Sequence, residues 1–161
     1  MPSSCRQRHA GFTLFELLLV VLILGILSAV VLPQLRSQRR DAETATLSSS
    51  VTQVQMVLEV QKQKLGTGSY PPAVLGAWFV NGILPVHPEK LAGVPSVENV
   101  SAPGQLHPLD KLLHTGSAGA YWYNVANGVF RARVKEQASA AETLSFYNDV
   151  NQCGLASLAD S

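Results

Sequence analysis

The 161-residue chain carries little charge and shows none of the common catalytic signatures. Charged residues make up 14% of it, and the formal net charge is +1. It has no basic block and no acidic tail, so the sequence indicates no nucleic-acid partner. It also has no phosphate-binding loop, dinucleotide fingerprint or nucleophile elbow. We therefore predict no cofactor, no catalytic residue and a protein that is not an enzyme.

Cysteine and histidine are scarce, which argues against a disulfide framework and a metal site. Cys5 and Cys153 flank a long apolar run, so we expect them on opposite sides of a membrane, or one of them removed. Cys153 is then expected to be an unpaired, buried thiol. His87, His107 and His114 lack the spacing of metal ligands, and no metal site is predicted.

The apolar run at residues 12–32 contains one charged residue, Glu16. As a helix it would span about 31 Å, close to the thickness of a bilayer core. A secretory signal would share the basic start at Arg6 and Arg8, but this run is too long and no cleavage site follows it. A plain anchor fits the length but leaves Glu16 unexplained, because a central membrane carboxylate costs about 2.5–3.5 kcal/mol. The position of Glu16 near one end reduces that cost.

A third interpretation accounts for more of these residues. The stretch "GFTLFELLLVVLILGILSAVVLP", residues 11–33, closely resembles the N terminus of type IV prepilins and type II secretion pseudopilins. In that family a membrane peptidase cuts after the glycine, and the new N terminus is methylated. The resemblance implies cleavage between Gly11 and Phe12, N-methylation of Phe12, and an assembly role for Glu16.

Elementary electrostatics supports the role of Glu16. Cleavage would create an ammonium group at Phe12, and positions i and i+4 of a helix lie on one face. The carboxylate would also lie near the positive end of the helix dipole. It can neutralise its own amine or that of a neighbouring subunit, and in a water-poor filament core an unpaired charge is costly. The pair would therefore favour one axial register between subunits.

Gly25 and Pro33 interrupt the apolar run. Gly25 would allow close helix packing, and Pro33 lacks the N–H needed to continue the hydrogen-bond ladder. The resemblance implies a flexible segment between them. A tolerated membrane glycine and an ordinary helix bend are equally compatible with the sequence.

Residues 34–65 contain neither glycine nor proline and predict an amphipathic helix. Its apolar stripe is Leu47, Val51, Val54, Leu58 and Leu65, widened by Met56, Val57 and Val60. A stripe of this kind usually packs in a core, and the heptads do not persist as a free coiled coil would require. Gly66 is suited to end the helix. Residues 12–65 would then form one helix about 80 Å long, with 12–33 as the transmembrane or filament-core part.

The remaining residues, 66–161, predict a small globular head. We expect an ordered loop with a short helix at 72–80, followed by a β-hairpin at 121–134 around a type I′ turn at Asn127-Gly128. Alternation places Phe130 on the face that covers the helix stripe, and Arg131 and Arg133 on the solvent side.

The segment 139–150 fits either a helix capped by Ser139 or a further strand. We favour a strand at 143–147, because a lone hairpin would be marginally stable.

The predicted fold is α+β and pilin-like, with a long N-terminal helix packed against a small antiparallel sheet. The resemblance implies a structural subunit that loses its leader, residues 1–11, and assembles into a pilus or a secretion pseudopilus supporting protein secretion. Before assembly it would be single-pass in the bacterial inner membrane, with the head in the periplasm. The implied partners are prepilin peptidase, its own copies and other pilins or pseudopilins, an inner-membrane assembly platform, and membrane lipid. The alternative is a membrane-anchored binding or adaptor protein that never polymerises.

Two features of the family are not expected in this chain. Major pseudopilins commonly hold calcium in an aspartate-bearing loop near the C terminus, but here only Asp149 and Asp160 lie there. Many pilins close a C-terminal loop with a disulfide, which a single mature cysteine cannot form internally. The sequence does not decide between a pilus and a pseudopilus.

Overall fold

The structure, a computed structural model, describes residues 13–89, 95–114, 117 and 119–161. The elements in chain order are helix α1 (Leu14–Leu65), strands β1 (Val97–Val100), β2 (Tyr121–Asn124) and β3 (Val129–Ala132), and helix α2 (Ala140–Asn151). The chain divides into two units, one ending at Arg40 and the other beginning at Asp41. The fold is α+β, as predicted.

The first unit contains the apolar part of α1. Every large apolar side chain from Leu14 to Leu27 is at least 45% exposed, and Leu14 reaches 84%. A Cβ atom added at Gly25 would meet no heavy atom within 4 Å. The helix assignment continues through Pro33. The flexibility of this segment stays a prediction.

Among the residues described, none of the helices combines the length and the apolar character that crossing a membrane requires.

In the second unit, four residues of the predicted stripe of α1 belong to the hydrophobic core. Leu47, Val51, Val54 and Leu58 are at most 3% exposed. They share one cluster with the sheet residues Tyr121, Tyr123, Phe130 and Ala132, and with Val134 after β3. The Phe130 face therefore covers the stripe, as expected. The stripe is narrower than predicted, because Met56, Val60 and Leu65 are 64%, 47% and 50% exposed. The helix ends at Leu65 as expected, and Gly66 follows with a φ of +65°.

The sheet is mixed rather than antiparallel. Its order is β1-β2-β3, with β1 parallel to β2 and β2 antiparallel to β3. The prediction treated β1 as loop. Local patterning gives no signal for it, because a parallel partner must come from a distant part of the chain. Two backbone bonds flank the ladder, from the Tyr121 N–H to Ser96 and from the Val125 N–H to Val100.

The hairpin turn differs from the predicted type I′. Four residues, 125–128, connect β2 and β3, and Gly128 has a φ of +76° whereas Asn127 is not in the left-handed region. A type I′ turn needs positive φ at both central residues. The Ala126 N–H instead donates to Oδ1 of Asn124 at 3.1 Å, so it is not free for the strand ladder. Gly128 also lies against Tyr70, whose ring atoms would be 2.2 Å from an added Cβ.

The predicted strand at 143–147 is wrong, because this segment belongs to α2. The Ser139 hydroxyl accepts the Glu142 N–H at 3.2 Å, and Gln152 ends the helix with a φ of +50°. The buried residues on this helix recur at helical spacing: Thr143, Phe146, Tyr147, Val150 and Asn151. The N-cap and this periodicity outweigh the strand propensity of the aromatic residues.

The short helix predicted at 72–80 is also absent. Two 3-10 turns, Gly76–Trp78 and Val80–Gly82, take its place, and Phe79 between them is extended. The chain folds back on itself here, since a Cβ at Gly76 would lie 2.5 Å from the Gly82 carbonyl oxygen. That close approach is incompatible with a continuous helix.

Arg133 was predicted to face solvent but is 4% exposed. Its Nε donates to the Asp110 carbonyl at 2.9 Å, its Nη1 donates to the Gly119 carbonyl at 2.7 Å, and its Nη2 pairs with the Glu98 carboxylate. Arg131 is half-buried. The alternation rule fails because the chain between β1 and β2 supplies two of the three acceptors of this guanidinium, and Glu98 of β1 supplies the third.

Candidate functional site

The Glu16 carboxylate is held at the N terminus of α1 by the residue that precedes the helix. Oε2 accepts the Thr13 N–H and the Thr13 hydroxyl, both at 2.9 Å, and the Glu16 N–H donates to Oγ1 of Thr13 at 3.3 Å. Side chain and backbone therefore cap each other reciprocally, which is a capping box. The pattern Thr-x-x-Glu in "TLFE" is the sequence signature of this motif, and it gives Glu16 a local role that the apolar run does not suggest.

This geometry leaves the carboxylate available to a further partner. All three bonds to Thr13 are exposed, and the residue lies in the first turn of the helix. A carboxylate there is favoured by the helix dipole and can still accept a hydrogen bond from a cation. The site can thus hold an ammonium group without losing the helix start.

The structure does not bring the predicted site residues together. Glu16, Gly25 and Pro33 lie along α1. Gly11 and Phe12 lie outside the described residues, as does the leader. The cleavage bond, the methylated terminus and the pairing of Phe12 with Glu16 therefore stay predictions.

Within the described ranges, no group of three or more histidine, cysteine, aspartate or glutamate side chains is placed to hold a metal ion. Cys153, half-buried, is a free thiol that donates to Oδ1 of Asn148 at 3.3 Å. Burial raises the pKa of that thiol. Cys5 lies outside the described residues.

An open groove lies between α1 and the hairpin turn. It is lined by Thr52, Gln55, Met56, Glu59, Tyr70, Asn127, Gly128 and Val129. Its single carboxylate accepts the Tyr70 hydroxyl at 2.6 Å. Apart from this pair, the residues that line the groove include no histidine, cysteine, lysine or second carboxylate, which are the usual bases and nucleophiles of catalysis.

Two head histidines are buried and serve internal contacts. Nε2 of His87 lies 2.9 Å from the Arg133 carbonyl oxygen. Nδ1 of His107 lies 3.2 Å from the Tyr147 hydroxyl. Burial, with the charges of Arg131 and Lys111, lowers the pKa of His107 to about 4, and Asp160 opposes that shift.

The buried His107 predicts acid sensitivity of the head. Its folded pKa is below the unfolded value of 6.5, so this contribution to stability is present above pH 6.5 and is lost as the pH falls toward 4. We expect a loss of about 3 kcal/mol in the free energy of unfolding between pH 7 and 4. Urea unfolding of the full chain in detergent at several pH values measures it.

The matched variants for that experiment are His107→Gln and His114→Gln. The first should lack this part of the acid dependence, whereas the second, at a side chain that is 55% exposed, should retain it. An unchanged pH profile in His107→Gln would contradict the assignment.

The family model for the prokaryotic N-terminal methylation motif matches residues 6–32. Type II secretion system core protein G of Pseudomonas aeruginosa is 32% identical over 104 residues, which covers 65% of this chain and 67% of that protein. The proteins of the same name from Aeromonas hydrophila and Klebsiella pneumoniae are 32% and 33% identical over 71 and 70 residues. This chain spans 48% and 49% of their lengths. No solved structure matches it significantly.

These matches extend beyond the motif itself. The longest of the three alignments covers 104 residues, whereas the motif ends at residue 32. The likeness therefore includes part of the chain beyond the apolar segment. The chain belongs to the pseudopilin family of type II secretion system core protein G.

Proposed function

We propose that this chain is a structural subunit of a type II secretion pseudopilus and supports protein secretion. The observation that carries the proposal is the similarity over 104 residues to core protein G, which includes more than the methylation motif. The capping box at Glu16 leaves this carboxylate exposed at the start of α1, which supports its role in assembly.

The subunit begins as a precursor in the bacterial inner membrane. Residues 1–11 form the cytoplasmic leader, residues 12–33 anchor the chain, and the head, residues 66–161, lies in the periplasm. Prepilin peptidase cuts between Gly11 and Phe12 and the new terminus is methylated. The similarity of residues 6–32 to the methylation motif supports this processing.

Assembly then transfers the apolar part of α1 from lipid into a bundle of like helices. In the single chain these side chains are exposed along the whole stretch from Leu14 to Leu27, so they need an apolar surrounding. Copies of this chain and other pseudopilins supply it, with an inner-membrane platform guiding insertion. Contacts of this kind are heterologous and extend as a helical filament.

The intact mass of the membrane-extracted protein tests the processing step. In cells with an active prepilin peptidase we expect a chain that begins at Phe12 and carries one added methyl group. A chain that begins at Met1 in those cells would overturn the cleavage assignment.

Two variants make this test specific. Gly11→Val places a branched side chain at the cleavage site and should leave the precursor uncut, whereas Gly25→Val lies inside the helix and should be processed normally. Equal processing of both variants would contradict a cut at Gly11.

A further inference from the structure

The C-terminal segment of the head, residues 155–160, is held to the rest of the domain by a buried ammonium group. Lys111 is 2% exposed. Its Nζ donates to the carbonyl oxygens of Pro108 at 3.0 Å and Leu158 at 2.9 Å, and to that of Asp160. Two of these three acceptors are 47 and 49 positions away along the chain.

These three bonds use all the hydrogen-bonding capacity of the lysine. An ammonium group has three donors and no acceptor. Burial lowers the pKa of Lys111, and the neighbouring Asp160 carboxylate opposes that shift. Because burying an unpaired charge costs several kcal/mol, the carbonyl oxygens are what makes this position tolerable for a cation. The arrangement is a small oxygen cage with a cation tethered inside it.

The backbone of Lys111 is also bonded to the core. The Lys111 carbonyl accepts the N–H of Val134, which is fully buried after β3. The start of the segment is held by the Asn148 side chain. Its Nδ2 donates to the Leu155 carbonyl at 3.0 Å, and its Oδ1 accepts the Leu155 N–H at 3.1 Å. The last residues of the chain are thus fixed at two points by side chains from elsewhere in the head.

The family resemblance implies calcium near the C terminus, and the residues present here do not fit it. The Asp160 carboxylate accepts the N–H groups of Ala156 and Ser157, at 3.1 and 2.9 Å, and Asp149 accepts only the Ser145 hydroxyl at 3.4 Å. The backbone carbonyl oxygens of Leu158 and Asp160 in this segment already accept hydrogen bonds from the ammonium group. Calcium needs six to eight oxygen ligands, and the described part of the chain assembles no such acidic group.

We infer that the Lys111 ammonium is the cation that closes the C-terminal segment onto this head, so that the head holds this segment without a bound divalent metal. The role follows from the cage itself and is independent of whether the chain polymerises. Because this cation is a side chain of the protein itself, the attachment of the C-terminal segment does not depend on the metal content of the surroundings.

The first experiment uses the unaltered full-length protein in detergent. Its thermal unfolding midpoint is measured after exhaustive treatment with a chelator, and again with millimolar calcium chloride. We expect the same midpoint in both. A midpoint that rises with calcium would overturn the inference, and this measurement does not depend on any variant folding.

The second experiment compares Lys111→Met with Lys135→Met by hydrogen exchange. Lys135 is a matched control, because its side chain is 64% exposed and lies 3.8 Å from Glu89. We expect amide exchange in residues 156–160 to accelerate about tenfold or more in Lys111→Met and to stay unchanged in Lys135→Met. Unchanged protection of the segment in a folded Lys111→Met variant would overturn the inference.

Discussion

Replacing Glu16 with glutamine is expected to abolish incorporation of the subunit into filaments while the head remains folded. Glutamine keeps an oxygen that can accept the Thr13 N–H, so the start of α1 is preserved. It removes the negative charge that would pair with the Phe12 ammonium of its own or a neighbouring chain. The variant therefore separates the capping role of this side chain from its proposed assembly role.

The expected effect is large, because the ammonium group would stay in a water-poor core without its partner. Breaking a buried ion pair by removing one member costs about 3–5 kcal/mol. A cost of that size lowers the equilibrium for adding a subunit by roughly a hundredfold or more. Under the proposed function, the Glu16 charge would therefore decide whether a chain can leave the membrane and stay in the filament.

The measurement is the fraction of subunits recovered in sheared filaments, together with secretion by the same cells. Glu136→Gln, at an exposed position of the head, is the control and should assemble like the unaltered chain. Protease resistance of the head reports folding in both. Normal filament incorporation of Glu16→Gln would refute the assembly role of this carboxylate. Absence of the unaltered chain from the filaments would instead favour an anchored protein that does not polymerise.

Local pattern was sufficient for the parts of the fold that depend on short-range periodicity. The stripe Leu47 to Leu58 and the alternating face at Phe130 follow from periods of 3.6 and 2, so their partnership in the core was predictable. The helix at 140–151 was also encoded, by the Ser139 cap and the spacing of its buried residues. The marginal stability of a lone hairpin favours a strand at 143–147, but β1 is the strand that completes the sheet.

That third strand exists, but the sequence does not reveal it. The four residues of β1 pair in parallel with β2, and parallel pairing joins segments that share no turn. The same limit applies to the candidate sites. "LDKLL" does not distinguish Lys111 from a surface lysine, because two of its three acceptors lie at Leu158 and Asp160. Whether such a lysine is buried or exposed depends on backbone acceptors from distant parts of the chain, which a short stretch of sequence does not contain.

Arg133 also depends on acceptors that are distant in the sequence, and its bonds to them contribute to the stability of the head. Replacing it with methionine is expected to lower the free energy of unfolding of the head by about 3–5 kcal/mol. The substitution keeps an unbranched apolar stem, but it leaves Glu98 without its cation and removes the donors to Asp110 and Gly119. Urea unfolding of the full chain in detergent, followed by the fluorescence of the buried Trp122, measures the change.

Two further variants identify the cause of the loss. Arg133→Lys keeps the charge but lacks the planar fork that reaches three acceptors, so it should recover only part of the stability. Lys135→Met, two positions along the chain, should change it by less than about 0.5 kcal/mol, because this lysine is 64% exposed and its Nζ lies 3.8 Å from the Glu89 carboxylate. If Arg133→Met were as stable as Lys135→Met, the partly buried pair of Arg133 with Glu98 would not hold β1 to the head. Partial rescue by lysine would instead show that geometry as well as charge holds the parallel strand, the one element of the sheet that local pattern does not specify.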